Sequence, residues 1–339
     1  VQIYRSRRRR RVKHSHASVC YYTDMKAIVI KNAGSAPVVR TLGPEPRELT
    51  CRVKGNFRLK GIRTTNPVAV GDIVEVTSTD SGDNYITAIV PRRNYIIRRA
   101  SNLSKEAHII AANIDRAFLI VTLAHPATST IFIDRFLATA EAYSIPVTIV
   151  INKADLLTDD GDRELLEAIT YLYTSIGYDV VTVSAKTGEG LDQLRERLRG
   201  RLTLFSGNSG VGKSTLINDL IPGLDLRTAA ISAIHDTGMH TTTFSEMFEI
   251  PDMPGSWIID TPGVKGFGTI DFDPHEVAHY FPEIFKVSAD CRYGDCTHTH
   301  EPGCAVAQAL ADHRIAQSRY ASYLSILDDS AEDKYRKAF

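Results

Sequence analysis

The chain carries a glycine-rich run, Gly207-Asn208-Ser209-Gly210-Val211-Gly212-Lys213-Ser214, downstream of the tetrapeptide Asn152-Lys153-Ala154-Asp155. Each follows an apolar stretch that reads as a strand, Leu202-Thr203-Leu204-Phe205 for the first and Pro146-Val147-Thr148-Ile149-Val150-Ile151 for the second. The first has the form of a phosphate loop and the second of a base-reading loop, in the reverse of their usual order. Both must leave the carboxyl edge of one mostly parallel sheet to meet a single ligand. A fold is fixed by which elements touch, and domain termini often lie close enough to be joined while a loop opens elsewhere. The order is therefore one that a circularly permuted α/β domain can accommodate.

The glycine-rich run fits G-x-x-x-x-G-K-[ST] between a strand and a helix. Phosphate oxygens must be met at close range. The glycines let backbone N–H groups approach, and the following helix adds its positive amino-terminal end. Lys213 is placed to reach the β- and γ-phosphates, and Ser214 offers a hard oxygen to Mg²⁺. Gly207, Asn208, Ser209, Gly210, Val211, Gly212 and Thr215 complete the expected nucleotide-binding run.

Three more pieces make the site one for guanine. The Asp155 carboxylate can accept from the N1–H and the exocyclic amine, a donor pair that adenine lacks, and a site built for buried polar edges rejects a ligand that leaves them unpaired. Lys153, beside Asn152, would pack along the base. Ser184-Ala185-Lys186, after Val180-Val181-Thr182-Val183, has the form of a loop whose N–H meets the guanine oxygen. Asp260-Thr261-Pro262-Gly263 would set the Asp260 carboxylate beside Mg²⁺ and the Gly263 N–H near the γ-phosphate. Between these motifs lies His235-Asp236-Thr237-Gly238-Met239-His240-Thr241-Thr242-Thr243, where a switch is expected. One of its threonines should close on Mg²⁺, and Thr242 or Thr243 is favoured. Position 264 is Val, which cannot orient water, so His240 is the candidate catalytic group with Lys213.

The order NKAD, SAK, GNSGVGKS, TTT, DTPG resembles that of circularly permuted GTPases. The stretches Ser104-Lys105-Glu106-Ala107-His108 and Ala111-Ala112-Asn113-Ile114-Asp115 are similar to the segment leading into the GTPase domain of the RsgA (YjeQ) family. The resemblance runs from about residue 25 to about residue 325. It implies a permuted domain between an OB-fold and a zinc module, with a switch histidine, here His240, taking part in hydrolysis. It also implies a GTPase that binds rRNA on the small ribosomal subunit, is stimulated by it in late maturation, and leaves after converting GTP to GDP. The alternative reading is a GTP-dependent RNA-binding switch with incidental turnover. Since the GTPase domain ends just beyond DTPG, loss of the γ-phosphate is expected to reorient residues 272–325 as a body.

Three of the five cysteines fall within CRYGDCTHTHEPGC. Cys291, Cys296 and Cys304 with one histidine would fill a tetrahedral Zn²⁺ shell with no open position, hence a structural ion. His298 and His300 are both candidates, and the family pattern resembles the His298 spacing. With few apolar residues, the region is expected to draw much of its folding energy from the metal. Ala305 to Leu327 reads as one helical stretch.

From Met25 to about Arg99, short apolar runs such as Ala27-Ile28-Val29-Ile30 and Ile73-Val74-Glu75-Val76 are separated by Gly, Pro, Asn and Asp, a small-barrel pattern. The resemblance says OB-fold, with an SH3-like barrel as the competitor. The net charge of zero conceals an asymmetry: residues 1–100 hold 20 Lys and Arg against 7 Asp and Glu, leaving 20 against 33 for residues 101–339. A polyanion such as RNA would be drawn to the first third. Residues 1–24, with five consecutive arginines at 7–11, read as a basic, disordered extension, either an RNA-binding arm or sequence upstream of a start at Met25.

The expected organisation is therefore an extension (1–24), an OB-fold (25–99), the central α/β circularly permuted P-loop GTPase domain (100–270) and a mostly helical zinc-binding C-terminal domain (271–339). No apolar run reaches the roughly 20 residues that span a bilayer. The expectation is a monomeric cytoplasmic protein with no membrane partner.

Overall fold

The computed structural model describes residues 23–32, 36–53, 67–99, 107–226, 245–260 and 272–336. The elements in order begin with strands β1 (Thr23–Lys31), β2 (Val38–Thr41), β3 (Glu48–Thr50), β4 (Arg52–Val53), β5 (Ile73–Ser78), β6 (Asn84–Ile89), β7 (Tyr95–Arg99) and β8 (Ala107–Ala112). Then come β9 (Arg116–Val121), α1 (Thr130–Ala142), β10 (Val147–Ile151), α2 (Asp160–Ile176), β11 (Asp179–Thr182), α3 (Leu191–Leu198), β12 (Leu202–Gly207) and α4 (Lys213–Leu220). A hairpin of β13 (Glu246–Glu249) and β14 (Trp257–Asp260) precedes helices α5 (Pro282–Ser288), α6 (Ala305–Ala311) and α7 (Gln317–Arg336). These elements form two compact units, one containing β1–β8 with β13 and β14, the other containing β9–β12 and all the helices.

In the first unit, β1 pairs antiparallel with β2 (Val29↔Val39) and with β5 (Ala27↔Val74). β2 pairs with β3 (Val39↔Leu49), β5 pairs with β6 (Val76↔Ile86), and β4 closes the ring by running parallel to β6 (Val53↔Ile86). With β3 and β4 as one path broken at Cys51, the ring β1-β2-β3/β4-β6-β5 closed by a parallel pair is the OB arrangement, and the SH3-like alternative is set aside. Alternation does the packing. Ala27, Val29, Val39, Val74, Val76 and Ile86 point inward, and the barrel also buries Cys51, whose thiol burial pushes up to about 11. Not every basic residue here is available to a polyanion. Arg92 is almost wholly buried in a two-pronged pair with the buried Asp72, at 2.6 and 2.7 Å.

The second unit is built on four parallel strands in the order β11-β10-β9-β12. Every residue of β10 and β12 is buried, as expected of a sheet covered on both faces, which is why these strands read as uninterrupted apolar runs. Their bounds agree with the sequence reading to within two residues. α2 begins where the Asp159 carboxylate accepts from Asp162 N and stops at Gly177, φ 114°.

The C-terminal region departs from expectation in three respects. First, residues 305–327 form two helices, because His313 takes a left-handed backbone (φ 58°) and Arg314 N bonds back to Ala309 O. Second, the region is not poor in apolar packing: Val277, Phe281, Ile284, Val306, Ala309, Ile315, Tyr323 and Ile326 bury one another, together with Ala138 of α1. Third, residues 272–325 pack onto the second unit rather than standing apart as a separate body. Arg319 of α7 is fully buried in an ion pair with the fully buried Asp134 of α1, at 2.7 Å. Breaking such a pair strands a buried charge and costs about 3–5 kcal/mol.

Candidate functional site

Three loops of the second unit meet at one side chain. Asn152, just past the end of β10, is 2% exposed. Its Nδ2 donates to the Val211 carbonyl of the glycine-rich loop at 2.8 Å, and its Oδ1 accepts from Ala185 N at 3.2 Å. One amide thus ties the Asn152–Asp155 loop to the other two. Its closeness explains a glycine: a Cβ at Gly212, where φ is +87°, would lie 2.4 Å from Asn152 Nδ2. At the loop's other end, a Cβ on Gly207 would come within 2.5 Å of the Ile120 carbonyl on β9.

Lys153 holds a left-handed backbone, φ 63° and ψ 39°, and its Nζ donates to His125 O at 2.6 Å. His125 belongs to the turn between β9 and α1. That turn is fixed by Thr122 Oγ1 donating to Pro126 O at 2.5 Å and by Thr128 N donating to Thr122 O at 2.8 Å. Pro126 flanks the glycine-rich loop, where a Cβ at Gly210 would touch its Cδ at 3.4 Å. Asp155 Oδ1 accepts from Ser184 Oγ at 2.7 Å, and its Oδ2 faces Lys186 Nζ at 3.6 Å. The Ser184 hydrogen bond, helped by the Lys186 charge, holds the Asp155 carboxyl below its ordinary range, so it is an ionised acceptor at neutral pH. Ser184 also accepts from Thr187 N at 3.2 Å, which shapes its own loop.

The glycine-rich loop runs from buried Gly207 through exposed Asn208, Ser209 and Gly210 to buried Val211. Lys213 and Ser214, partly exposed, open α4, and Thr215 is exposed on its first turn. Asp260 ends β14 in the first unit, partly buried and in register with Glu246 of β13. His240, Thr242 and its neighbouring threonines, and Gly263 lie outside the described residues.

A second constellation lies in the C-terminal region. One ligand atom from each of Cys291, Cys296, His298 and Cys304 lies within 4.8 Å of the others, a grouping that could hold a metal ion. His298 Nδ1 is 3.6 Å from both Cys291 Sγ and Cys304 Sγ, whereas His300 is exposed and bonds to the Thr299 hydroxyl. Of the two histidines, His298 therefore faces the thiols. Burial, then the neighbouring thiols, pushes the Cys296 thiol up to about 12, and burial holds the His298 imidazole neutral. Three crowded thiols beside a neutral imidazole fit a cation that would displace their protons.

Sequence reasoning missed the residues that shape this loop. Glu301 accepts from Thr297 N at 2.8 Å, Thr297 Oγ1 at 2.6 Å and Thr299 N at 3.1 Å. Tyr320 and Tyr323 of α7 donate to the His298 and Thr297 carbonyls, each at 2.7 Å. The tyrosines lie 16 and 19 residues beyond Cys304, outside any motif, and only their contacts reveal them.

Comparison with known proteins agrees with this geometry. Residues 89–270 match the RsgA GTPase family and residues 39–86 match the RsgA N-terminal domain. The chain belongs to the RsgA GTPase family. A relative from Bacteroides fragilis is 58% identical over 315 residues, covering 93% of this chain and 100% of that protein. One from Porphyromonas gingivalis is 59% identical over 318 residues with the same coverage. Both carry the name small ribosomal subunit biogenesis GTPase. The crystal structure of YjeQ from Thermotoga maritima superposes with a TM-score of 0.74 at 32% identity, covering 91% of this chain and 99% of that one. YloQ, described as a circularly permuted GTPase, gives 0.69 at 27% identity, covering 95% and 99%. Membership of this family makes the chain a GTP-hydrolysing enzyme with a permuted GTPase fold. Among the described residues no helix is long and apolar enough to cross a membrane.

Proposed function

We propose that this chain hydrolyses GTP to GDP and phosphate on the small ribosomal subunit, in late maturation of that particle, and departs after hydrolysis. The observation that carries the reading is the Asn152 amide, which joins the base-reading loop to the glycine-rich loop and to the Ser184–Lys186 loop. In this reading the ionised Asp155 accepts from guanine N1–H and the exocyclic amine, Lys153 lies along the base, and Ala185 N–H meets the guanine oxygen. Lys213 and the N–H groups of residues 207–215 hold the phosphates. Ser214 and Thr242 ligate Mg²⁺, with Asp260 beside it, and Gly263 contacts the γ-phosphate. Mg²⁺ supplies charge neutralisation on the phosphate oxygens. His240 orients the attacking water, because Val264 cannot.

Cys291, Cys296, His298 and Cys304 hold one structural Zn²⁺. The barrel and its surplus of Lys and Arg meet rRNA, and the acidic remainder of the chain turns away from it. The protein acts as a monomer in the cytoplasm. The names of the relatives support the subunit as partner.

The test is GTP turnover with and without purified small subunits, paired with co-sedimentation. Strong stimulation and GTP-dependent pelleting are expected. Turnover that ignores the subunit while pelleting persists would instead mark a GTP-dependent RNA-binding switch.

A further inference from the structure

One turn of α7 makes two sets of contacts. Tyr320 and Tyr323 hold the backbone of the metal-ligand loop at His298 and Thr297, each through a 2.7 Å bond. Arg319, next in sequence and fully buried, makes the second set. Its Nε and Nη2 donate to Glu283 of α5 at 2.7 and 3.1 Å, and its Nη1 donates to Asp134 of α1 at 2.7 Å. Asp134 also accepts from Tyr173 of α2 at 2.9 Å, and the Arg319 guanidinium stands 4.6 Å from the centre of the Phe281 ring. Burial lowers the pKa of Arg319, but the Glu283 bonds and the Asp134 charge outweigh it, so the guanidinium is a permanent cation in a dry site. Arg135, beside Asp134, bonds Ser325 at 2.8 Å and Asp329 at 2.5 Å, adding a second link from α1 to α7.

The other end of α1 meets the nucleotide loops. Its N-cap, Ser129, follows directly on the turn whose His125 carbonyl holds Lys153 and whose Pro126 flanks Gly210. A shift of α1 against the sheet would move that turn, and with it the Lys153 ammonium and the wall of the glycine-rich loop. The path from the metal-ligand loop to the base-reading loop therefore runs through bonded or packed groups at every step. Only α1 and α7 need act as rigid rods.

We infer that metal occupancy at Cys291, Cys296, His298 and Cys304 is thermodynamically linked to guanine-nucleotide affinity through α7 and α1, with Arg319 as the positioning residue between them. A metal that fixes the loop fixes the Tyr320 and Tyr323 hydroxyls. α7 then stays in register, and Arg319 keeps α1 seated. Linkage is reciprocal: if the metal tightens nucleotide binding by some factor, nucleotide tightens metal binding by the same factor. The inference rests on the nucleotide assignment proposed above.

The experiment uses the full chain loaded with Zn²⁺ and titrated with a chromogenic chelator, with and without saturating GDP. GDP binding is measured separately by calorimetry on the same preparation. GDP is expected to raise the resistance of Zn²⁺ to chelation at least about fivefold, the lower end of ordinary allosteric couplings. In the double variant Tyr320→Phe/Tyr323→Phe, which keeps every metal ligand and both rings, the effect should fall below about twofold. Wild-type Zn²⁺ affinity indifferent to bound GDP overturns the linkage, as does an undiminished effect in the double variant. If calorimetry finds no GDP binding, the nucleotide assignment itself fails, and the linkage fails with it.

Discussion

The contact between Gly212 and Asn152 makes a quantitative prediction. A methyl group at Gly212 would sit 2.4 Å from Asn152 Nδ2 on a backbone with φ +87°. The left-handed backbone alone costs an alanine about 1–2 kcal/mol. Relieving the clash requires Nδ2 to move, which breaks its 2.8 Å bond to Val211 O, and leaving buried polar groups unmet costs about 1–3 kcal/mol more. Gly212→Ala should therefore destabilise the protein by about 2–5 kcal/mol in urea unfolding monitored without nucleotide. In an Asn152→Ala background the amide is already gone, so the same change should cost only the backbone share. The cycle should give a coupling of about 1–3 kcal/mol. GDP affinity by calorimetry should fall for each single variant, and the double should fall below the wild type by less than the product of the two single losses. Additivity within about 0.5 kcal/mol would falsify the claim that this glycine exists to accommodate that amide.

Three further outcomes are expected. Lys213→Ala should abolish measurable GDP binding by calorimetry, whereas His240→Ala should leave GTP affinity within about twofold and slow turnover, and equal loss of affinity in the histidine variant would remove it from catalysis. The Ser184 hydrogen bond, helped by the Lys186 charge, holds the Asp155 carboxyl below the usual carboxylate range, so its contribution is in place above that range and is lost as pH falls through the lowered value. GDP affinity should thus show no Asp155 titration between pH 7 and about pH 4, and in Ser184→Ala, which removes the largest cause of the shift, the loss should begin at higher pH. Glu301→Ala releases the donors Thr297 and Thr299 and should speed Zn²⁺ loss to a chelator, while leaving the melting of an Ile86→Ala barrel variant unaffected in magnitude.

Much of the candidate nucleotide site was legible because its chemistry is local: each loop follows a strand, fully buried in β10 and β12, and its residues are adjacent in sequence. The bond that unites them was not, since Asn152 and Val211 are 59 residues apart. The barrel was legible as alternation, but its kind depended on the parallel pairing of β4 with β6. The break between α6 and α7 was hidden for a conformational reason. Helices often stop at a glycine in the left-handed region, and here His313 fills that role without one, with buried Ile315 packing after it. Nothing in the sequence around Asp134 marks the role it has in α1. Its partner lies 185 residues away, so no window of sequence could mark it as buried.

The match to the GTPase family stops at residue 270, yet Ala138 of α1 packs beneath Phe281 and Val277, and Asp134 depends on Arg319. A fragment cut at that point would keep the three loops joined by Asn152 and still lose the back wall of α1, leaving a carboxylate facing water on a surface shaped for an arginine. The seam drawn by sequence families is thus not a seam in the folding unit. Grafting or truncating this enzyme at residue 270 would strip the cover from one face of α1.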